Sequence, residues 1–318
     1  MYIKYIKAKG VIVMTKNMQK KEHIFFAMGT VCSITVFDDG YDNAVAAAQQ
    51  RVIGLHEKFN AYDPESEISR INENAGSCFI SVSDDTFLLI RHSINHSLLT
   101  EGLFDITTTP LSLMWKEAIK KRALPDTDSI NEARSLIGYN DIIIKNGEVM
   151  LNKKGQKIDL GAIAKGYAAD EARKILSAHG IKRAVINFGG TVITLGNTQT
   201  VGIQNPFEKT GTPFASVLSA NKAVVSSGLY EQSAFIEKQT VHHIIDPKTG
   251  YPSKTDNAGV TLIGDCAEAL DALSTAVFIM DIPDALPLLK KFSAEAVFIR
   301  KNGDVFITDG LKNDFRFL

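Results

Sequence analysis

Asp271 and Thr275 lie four residues apart in EALDALSTAVFIM (268 to 280), so on a helix one carboxylate and one hydroxyl project from the same face. Leu270, Leu273, Val277 and Met280 recur at helical spacing and supply the apolar stripe of that helix, with the polar pair rotated off it. Magnesium takes near-octahedral oxygen coordination, keeps several waters, and is held by one or two protein carboxylates plus substrate phosphates. The pair is chemically sufficient as the protein half of such a site. A solvated helix face carries the same two residue types, and the spacing alone does not separate the two readings.

A second group is HHIIDPKTGYP (242 to 252), with two adjacent histidines, a short apolar pair and an Asp-Pro-Lys-Thr-Gly turn. On an extended backbone His242 and His243 point to opposite faces, so one can face a cleft while the other packs. Histidine is the side chain best suited to take a hydroxyl proton near neutral pH. One of the two is therefore a general-base candidate, against the plainer reading that both hydrogen-bond a turn.

A third group, IDLGAIAKGY (158 to 167), puts Asp159 and Gly161 just before a helix and Lys165 in its first turns. Helix N-termini present unpaired N–H groups and the positive end of the helix dipole, which suits phosphate, and Lys165 adds a charge. The alternative is a helix capped by Asp159 with a surface lysine. No GxGxxG opens a helix after a first strand and no GxxxxGK[ST] occurs, so neither a dinucleotide-binding fold nor a P-loop is available to hold a nucleotide.

These groups are positioned by a mixture of helices and strands. VCSITVF (31 to 37) alternates and is β-branched, and Val45, Ala48, Val52, Leu55 and Phe59 then recur at helical spacing. Phe87, Ile90, Ile94 and Leu98 mark a second helix. After Gly161, Ala164, Ala168, Ala172 and Ile175 predict a helix ending near Gly180, followed by a strand AVINF and a turn at Gly189-Gly190. Asn146-Gly147 and Asn302-Gly303, each between apolar runs, predict hairpins, so the sheets are at least partly antiparallel. The class is α+β, with mixed, largely antiparallel sheets and packed helices.

With 318 residues, 45% of them hydrophobic, the chain can bury a large core. A formal net charge of -1 excludes a protein whose main business is tracking a nucleic-acid backbone. Cys32, Cys78 and Cys266 are few, odd in number and far apart, which fits neither a disulfide framework nor a CxxC metal site. Residues 1–22 read as a basic, disordered tail and 23–318 as one catalytic domain, for no linker, repeat or low-complexity stretch divides it. The tail has no secretory apolar run and no lipidation cysteine, and no stretch is long and apolar enough to span a membrane, so the expected location is cytoplasmic.

Taken in order, the segments AMGT (27 to 30), FNAYDPESEISRIN (59 to 72), GLFDITTTPL (102 to 111), IDLGAIAKGYAAD (158 to 170), VINFGG (185 to 190), VSSGLYEQS (225 to 233), HHIIDPKTGYP and EALDALSTAVFIM resemble the ApbE family of flavin transferases over most of the chain. Several unrelated motifs in fixed order are far more specific than any one of them. The resemblance implies an α+β fold related to the T-fold and transfer of FMN from FAD onto a threonine hydroxyl of an acceptor protein, releasing AMP. It implies Mg2+ ligands at Asp271 and Thr275, with a backbone carbonyl at Ala162. It implies FAD contacts at Met28, Ala61, Tyr62, Asp63, Asp105, Lys165, His243 and Ile244, with His243, Asp271 and Lys165 as the catalytic groups. Asn60-Ala61 stands where the family has a small polar pair before the tyrosine. Two other activities use the same residues: an Mg2+-dependent FAD pyrophosphatase giving FMN and AMP, and a flavin-binding or carrier protein without turnover. Many members of the family are secreted lipoproteins, which makes a membrane-associated extracytoplasmic location the alternative.

Overall fold

The computed structural model describes residues 2–5, 21–39, 41–209, 211–229, 233–237 and 239–318, and for 2–5, 233 and 239 the backbone alone. Residues 6–20 of the expected tail lie outside the described residues; within that tail Tyr2–Tyr5 runs antiparallel to Val305–Thr308, and the strand Lys21–Ala27 begins. By their internal contacts the described residues fall into two compact units, one within residues 1–54, 165–230 and 256–318, the other within residues 55–164 and 231–255.

The first unit is built on nine antiparallel strands, in the order Tyr2–Tyr5, Val305–Thr308, Glu295–Arg300, Asn257–Gly264, Ala223–Gly228, Thr191–Leu195, Ala184–Phe188, Thr30–Val36, Lys21–Ala27. Asn257–Gly264 is buried along its whole length, as a central strand covered on both faces must be. One cover is the smaller sheet of Phe315–Phe317, Pro213–Ser219 and Gln199–Gln204, whose Val201, Ile203 and Val217 meet Val224, Ile263 and Val297. The other is the helix Ala267–Ile279, packed on Ala223–Gly228 and Asn257–Gly264. Alternation along Ala223–Gly228 sends Val224 to the small sheet and Ser227 to the helix, where its hydroxyl lies 2.8 Å from that of Ser274.

The second unit contains the helices Glu67–Glu73, Asp84–Leu99, Thr109–Lys121 and Thr127–Ser135, a small sheet of Ile80–Ser81, Glu148–Leu151 and Ile142–Lys145, and the hairpin Ser233–Ile236 with Gln239–His242. Its core includes Leu111, Trp115, Ile130, Ile236, Val241 and Ile245. Trp115 Nε1 donates to the Gly250 carbonyl at 2.8 Å, which ties the turn after the histidines to the helix Thr109–Lys121.

Both Asn-Gly hairpins form, by different turns. Asn146 and Gly147 both take positive φ, 52° and 79°, giving the two-residue turn whose twist matches its strands. At Asn302-Gly303 the glycine has φ 85° while Gly303 N–H donates to Arg300 O and Arg300 N–H to Asp304 O, so the loop is longer by one residue. The helices Asp42–Phe59, Asp84–Leu99, Ala164–Ala178 and Ala267–Ile279 lie where their apolar spacing predicts them. Glu67–Glu73, Thr109–Lys121, Thr127–Ser135 and Ile282–Lys291 are additional.

Candidate functional site

In the first unit, Asp271 is 5% exposed although it sits on a helix. The expectation that the polar pair turns away from the packed side of the helix therefore holds only for Thr275, which is half-buried; Ala267 to Ser274 are all buried. The helix is enclosed on nearly all sides because it lies between the central strands and the N-terminal turn of Ala164–Ala178. That turn supplies partners for the acid. Gly166 N–H donates to Asp271 Oδ2 at 2.9 Å, and Lys165 Nζ lies 3.4 Å from Oδ1. Lys165 is thus a partly buried partner of the carboxylate and not a surface lysine.

Gly166 is required by this approach. A Cβ there would run into the Ala267 carbonyl group, with Glu268 Cα at 2.7 Å, so only a residue without a side chain lets the two helices come this close. Asp159 does not cap Ala164–Ala178: its Oδ1 takes the Gly161 N–H at 2.7 Å and shapes the turn at 161–163 that leads directly into the helix. Ala162 lies in that turn, half-buried.

Met28 belongs to the same unit, at the two-residue turn between Lys21–Ala27 and Thr30–Val36. Its φ is 52° and that of Gly29 is 69°, a left-handed pair in which methionine carries steric strain that glycine does not.

The second unit holds Ala162 and the other predicted residues. Ala61 and Tyr62 help line a pocket of about 350 Å³ together with Asn72, Thr109, Leu113 and Lys157. Tyr62 is 63% exposed, and Lys116 Nζ lies 3.1 Å from its hydroxyl and 5.6 Å from its ring centre. Asp63 Oδ1 accepts the Glu65 N–H at 3.0 Å, shaping the turn that leads to Glu67–Glu73. Asn72 was not foreseen. Its amide exchanges both hydrogen bonds with the backbone of Ile158, at 2.7 and 2.9 Å, and so fixes the segment next to Lys157.

Asp105 is buried and fully engaged. Oδ1 accepts from the Thr107 N–H at 2.8 Å and hydroxyl at 2.7 Å, and Oδ2 from the Tyr139 N–H at 3.0 Å. Burial pushes its carboxyl above the usual range, against those hydrogen bonds, and the nearby Asp141 charge adds to the rise. Its role in the structure is to join 105–107 to 138–139.

The two histidines differ in burial. His242 ends the strand Gln239–His242, is 2% exposed, and has Nε2 3.2 Å from the Ser253 carbonyl. His243 follows in a bend, half-buried, and Ile244 is buried behind it. Two of the predicted residues, Lys165 and Asp271, are in direct contact; Ala61 and Tyr62 share a pocket.

Among the described residues no group of three or more His, Cys, Asp or Glu gathers in one place. The Asp271 carboxylate and the Thr275 hydroxyl are oxygen donors of the kind Mg2+ accepts, its other ligands coming from water and phosphate, so these residues fit that ion. No helix among the described residues is long and apolar enough to cross a membrane.

The family model for the ApbE family matches residues 28–298. A Klebsiella pneumoniae protein named FAD:protein FMN transferase is 30% identical over 84% of this chain and 86% of its own, and a Treponema pallidum protein of the same name is 29% identical over 92% and 87%. The crystal structure of the ApbE protein from Thermotoga maritima superposes with a TM-score of 0.84 at 30% identity, covering 92% of this chain and 98% of that one. The α+β architecture is shared with the Thermotoga protein, and the family match spans Lys165, His243 and Asp271. The chain belongs to the ApbE family.

Proposed function

We propose that this protein transfers FMN from FAD to a threonine hydroxyl of an acceptor protein, with Mg2+ as cofactor and AMP as the leaving product. The observation that carries the reading is the buried carboxylate of Asp271, held by Gly166 N–H and beside Lys165, with the Thr275 hydroxyl one helical turn on. Two curated relatives are named FAD:protein FMN transferase, which supports the transfer of FMN from FAD to a protein.

Asp271 and Thr275, with the Ala162 carbonyl, would hold a divalent cation, which when bound would supply charge neutralisation at the diphosphate of FAD. The protein's own groups do the rest. Gly166 N–H holds one Asp271 oxygen and so fixes the direction in which the other lone pairs point. Lys165 steadies negative charge as the bond to AMP lengthens. His243 accepts the proton from the threonine hydroxyl. Met28, Ala61, Tyr62, Asp63 and Ile244 shape the flavin and adenine surfaces, and the strained backbone at Met28 is the sort of feature that clusters at ligand-binding positions. Asp105 contributes by ordering its loop. Cys32, Cys78 and Cys266 are all free, which suits a reducing, cytoplasmic compartment.

The test is to incubate the purified chain with FAD and Mg2+, with and without a threonine-bearing acceptor. A mass gain on the acceptor equal to FMN less one water, prevented when EDTA is present from the start, supports the reading. Equal release of FMN and AMP with no acceptor labelled makes the protein a pyrophosphatase, and bound FAD with no AMP makes it a carrier.

A further inference from the structure

The helix Ala267–Ile279 starts without a cap of its own, for Cys266 precedes it and its side chain makes no capping bond. The first N–H groups of a helix have no partner inside it and need an acceptor from elsewhere. Glu268 N–H finds one on another helix: Asp170 Oδ2 accepts it at 3.0 Å. The same oxygen takes the Cys266 thiol at 3.6 Å, while Oδ1 pairs with Arg173 Nη2 at 2.7 Å. Arg173 Nη1 donates to the Asp265 carbonyl at 2.9 Å. One turn of Ala164–Ala178 therefore grips residues 265, 266 and 268 together.

Gly166 lies four residues before Asp170, on the same face of that helix. Its N–H holds Asp271, one turn beyond Glu268. Two contacts a turn apart on each helix set both the register and the rotation of Ala267–Ile279. At the far end, fully buried Asn257 donates Nδ2 to the Phe278 and Met280 carbonyls at 2.9 and 3.2 Å, so the helix is clamped at both ends by side chains from outside it. Asp170 is itself 6% exposed, and burying an acid is unfavourable unless it is paired and hydrogen-bonded as fully as this one is.

We propose that Asp170 is a positioning residue for the cation site: by capping Ala267–Ile279 from the neighbouring helix, it holds the Asp271 carboxylate and the Thr275 hydroxyl in the direction that grips Mg2+. The proposal rests on the reading that Asp271 and Thr275 bind the cation. Mg2+ demands near-ideal geometry, and residues that orient ligands are typically worth about 10- to 100-fold in metal affinity.

The experiment measures binding of Mn2+, an EPR-visible substitute for Mg2+, to the full chain, with folding checked by circular dichroism. Asp170→Ala weakens Mn2+ roughly tenfold or more, and Asp170→Asn, which keeps an acceptor for Glu268 N–H, recovers to within about threefold of the parent protein. Arg173→Met, at a partly exposed position, is the second variant; loss of the guanidinium that orients Asp170 weakens Mn2+ about threefold. A folded Asp170→Ala protein with parental Mn2+ affinity overturns the proposal, and if that variant does not fold, parental affinity in Arg173→Met does so. Asp271→Ala runs alongside. If it too binds Mn2+ as the parent does, the cation assignment fails; if it alone loses binding, only the role of Asp170 fails.

Discussion

Gly166 N–H donates to Asp271 Oδ2 at 2.9 Å, across two helices that lie 105 residues apart in the chain. The bond exists because position 166 has no side chain, and it places the carboxylate beside Lys165.

Gly166→Ala puts a methyl group against the Ala267 carbonyl and Glu268 Cα, where backbone and not a flexible side chain must give way. Overpacking of this kind is worth about 1 to 3 kcal/mol. The expected result is a lower unfolding midpoint in denaturant together with a higher Mg2+ concentration for half-maximal FMN transfer. An unchanged midpoint contradicts the close approach of the two helices.

Asp271→Ala removes the acid while leaving a good helix former, so the protein folds. Transfer falls by roughly 10² to 10³ or more, the usual loss when one charge-stabilising group is removed. Labelling of the acceptor at the parental rate under saturating Mg2+ would refute the metal assignment.

Lys165→Met keeps the length of the side chain and removes its charge. The expected loss is in kcat for transfer, about 10²-fold, with little change in FAD binding, since the charge develops during bond breaking. A change in KM for FAD with kcat intact assigns Lys165 to ground-state binding instead.

Asp105 supplies the pH dependence. Its folded carboxyl lies above the usual 3.8, chiefly because it is buried. The native state therefore holds its proton to higher pH than the unfolded chain does, and the stabilisation this gives is complete below 3.8 and lost as pH rises through the folded value. Asp105→Asn cannot titrate, so the stability of the parent relative to this variant should increase as pH is lowered toward 3.8, as read from denaturant midpoints of both proteins. A difference that is flat in pH contradicts the raised carboxyl.

Trp115→Phe leaves the buried Gly250 carbonyl without the indole donor at 2.8 Å. An orphaned buried acceptor is worth about 1 to 3 kcal/mol, which the unfolding midpoint of the second unit should register.

Much of the architecture can be read locally. The helix Ala267–Ile279 follows from Leu270, Leu273 and Val277, and the strand Ala184–Phe188 from its β-branched pattern. Asn146-Gly147 dictates its hairpin because both residues tolerate positive φ. The four additional helices are less legible. Thr109–Lys121 opens on β-branched threonines with Pro110 in its first turn, and Ile282–Lys291 has Pro287 inside it. Thr127–Ser135 buries only Ile130 and Ala133, too few apolar positions to show a period.

For the candidate site, the residue types at 165, 271, 275 and 243 and the order of the motifs around them were decided by the sequence, because these depend on neighbours a few positions apart. Which surfaces those residues face was decided only by tertiary packing. Asp271 is buried because another helix comes close enough, at a glycine, to fill the space around it, and Asp105 is taken up by Tyr139 because a distant loop folds onto it. Burial and hydrogen-bond partnership belong to pairs of distant segments, and periodicity along one segment carries no information about the other.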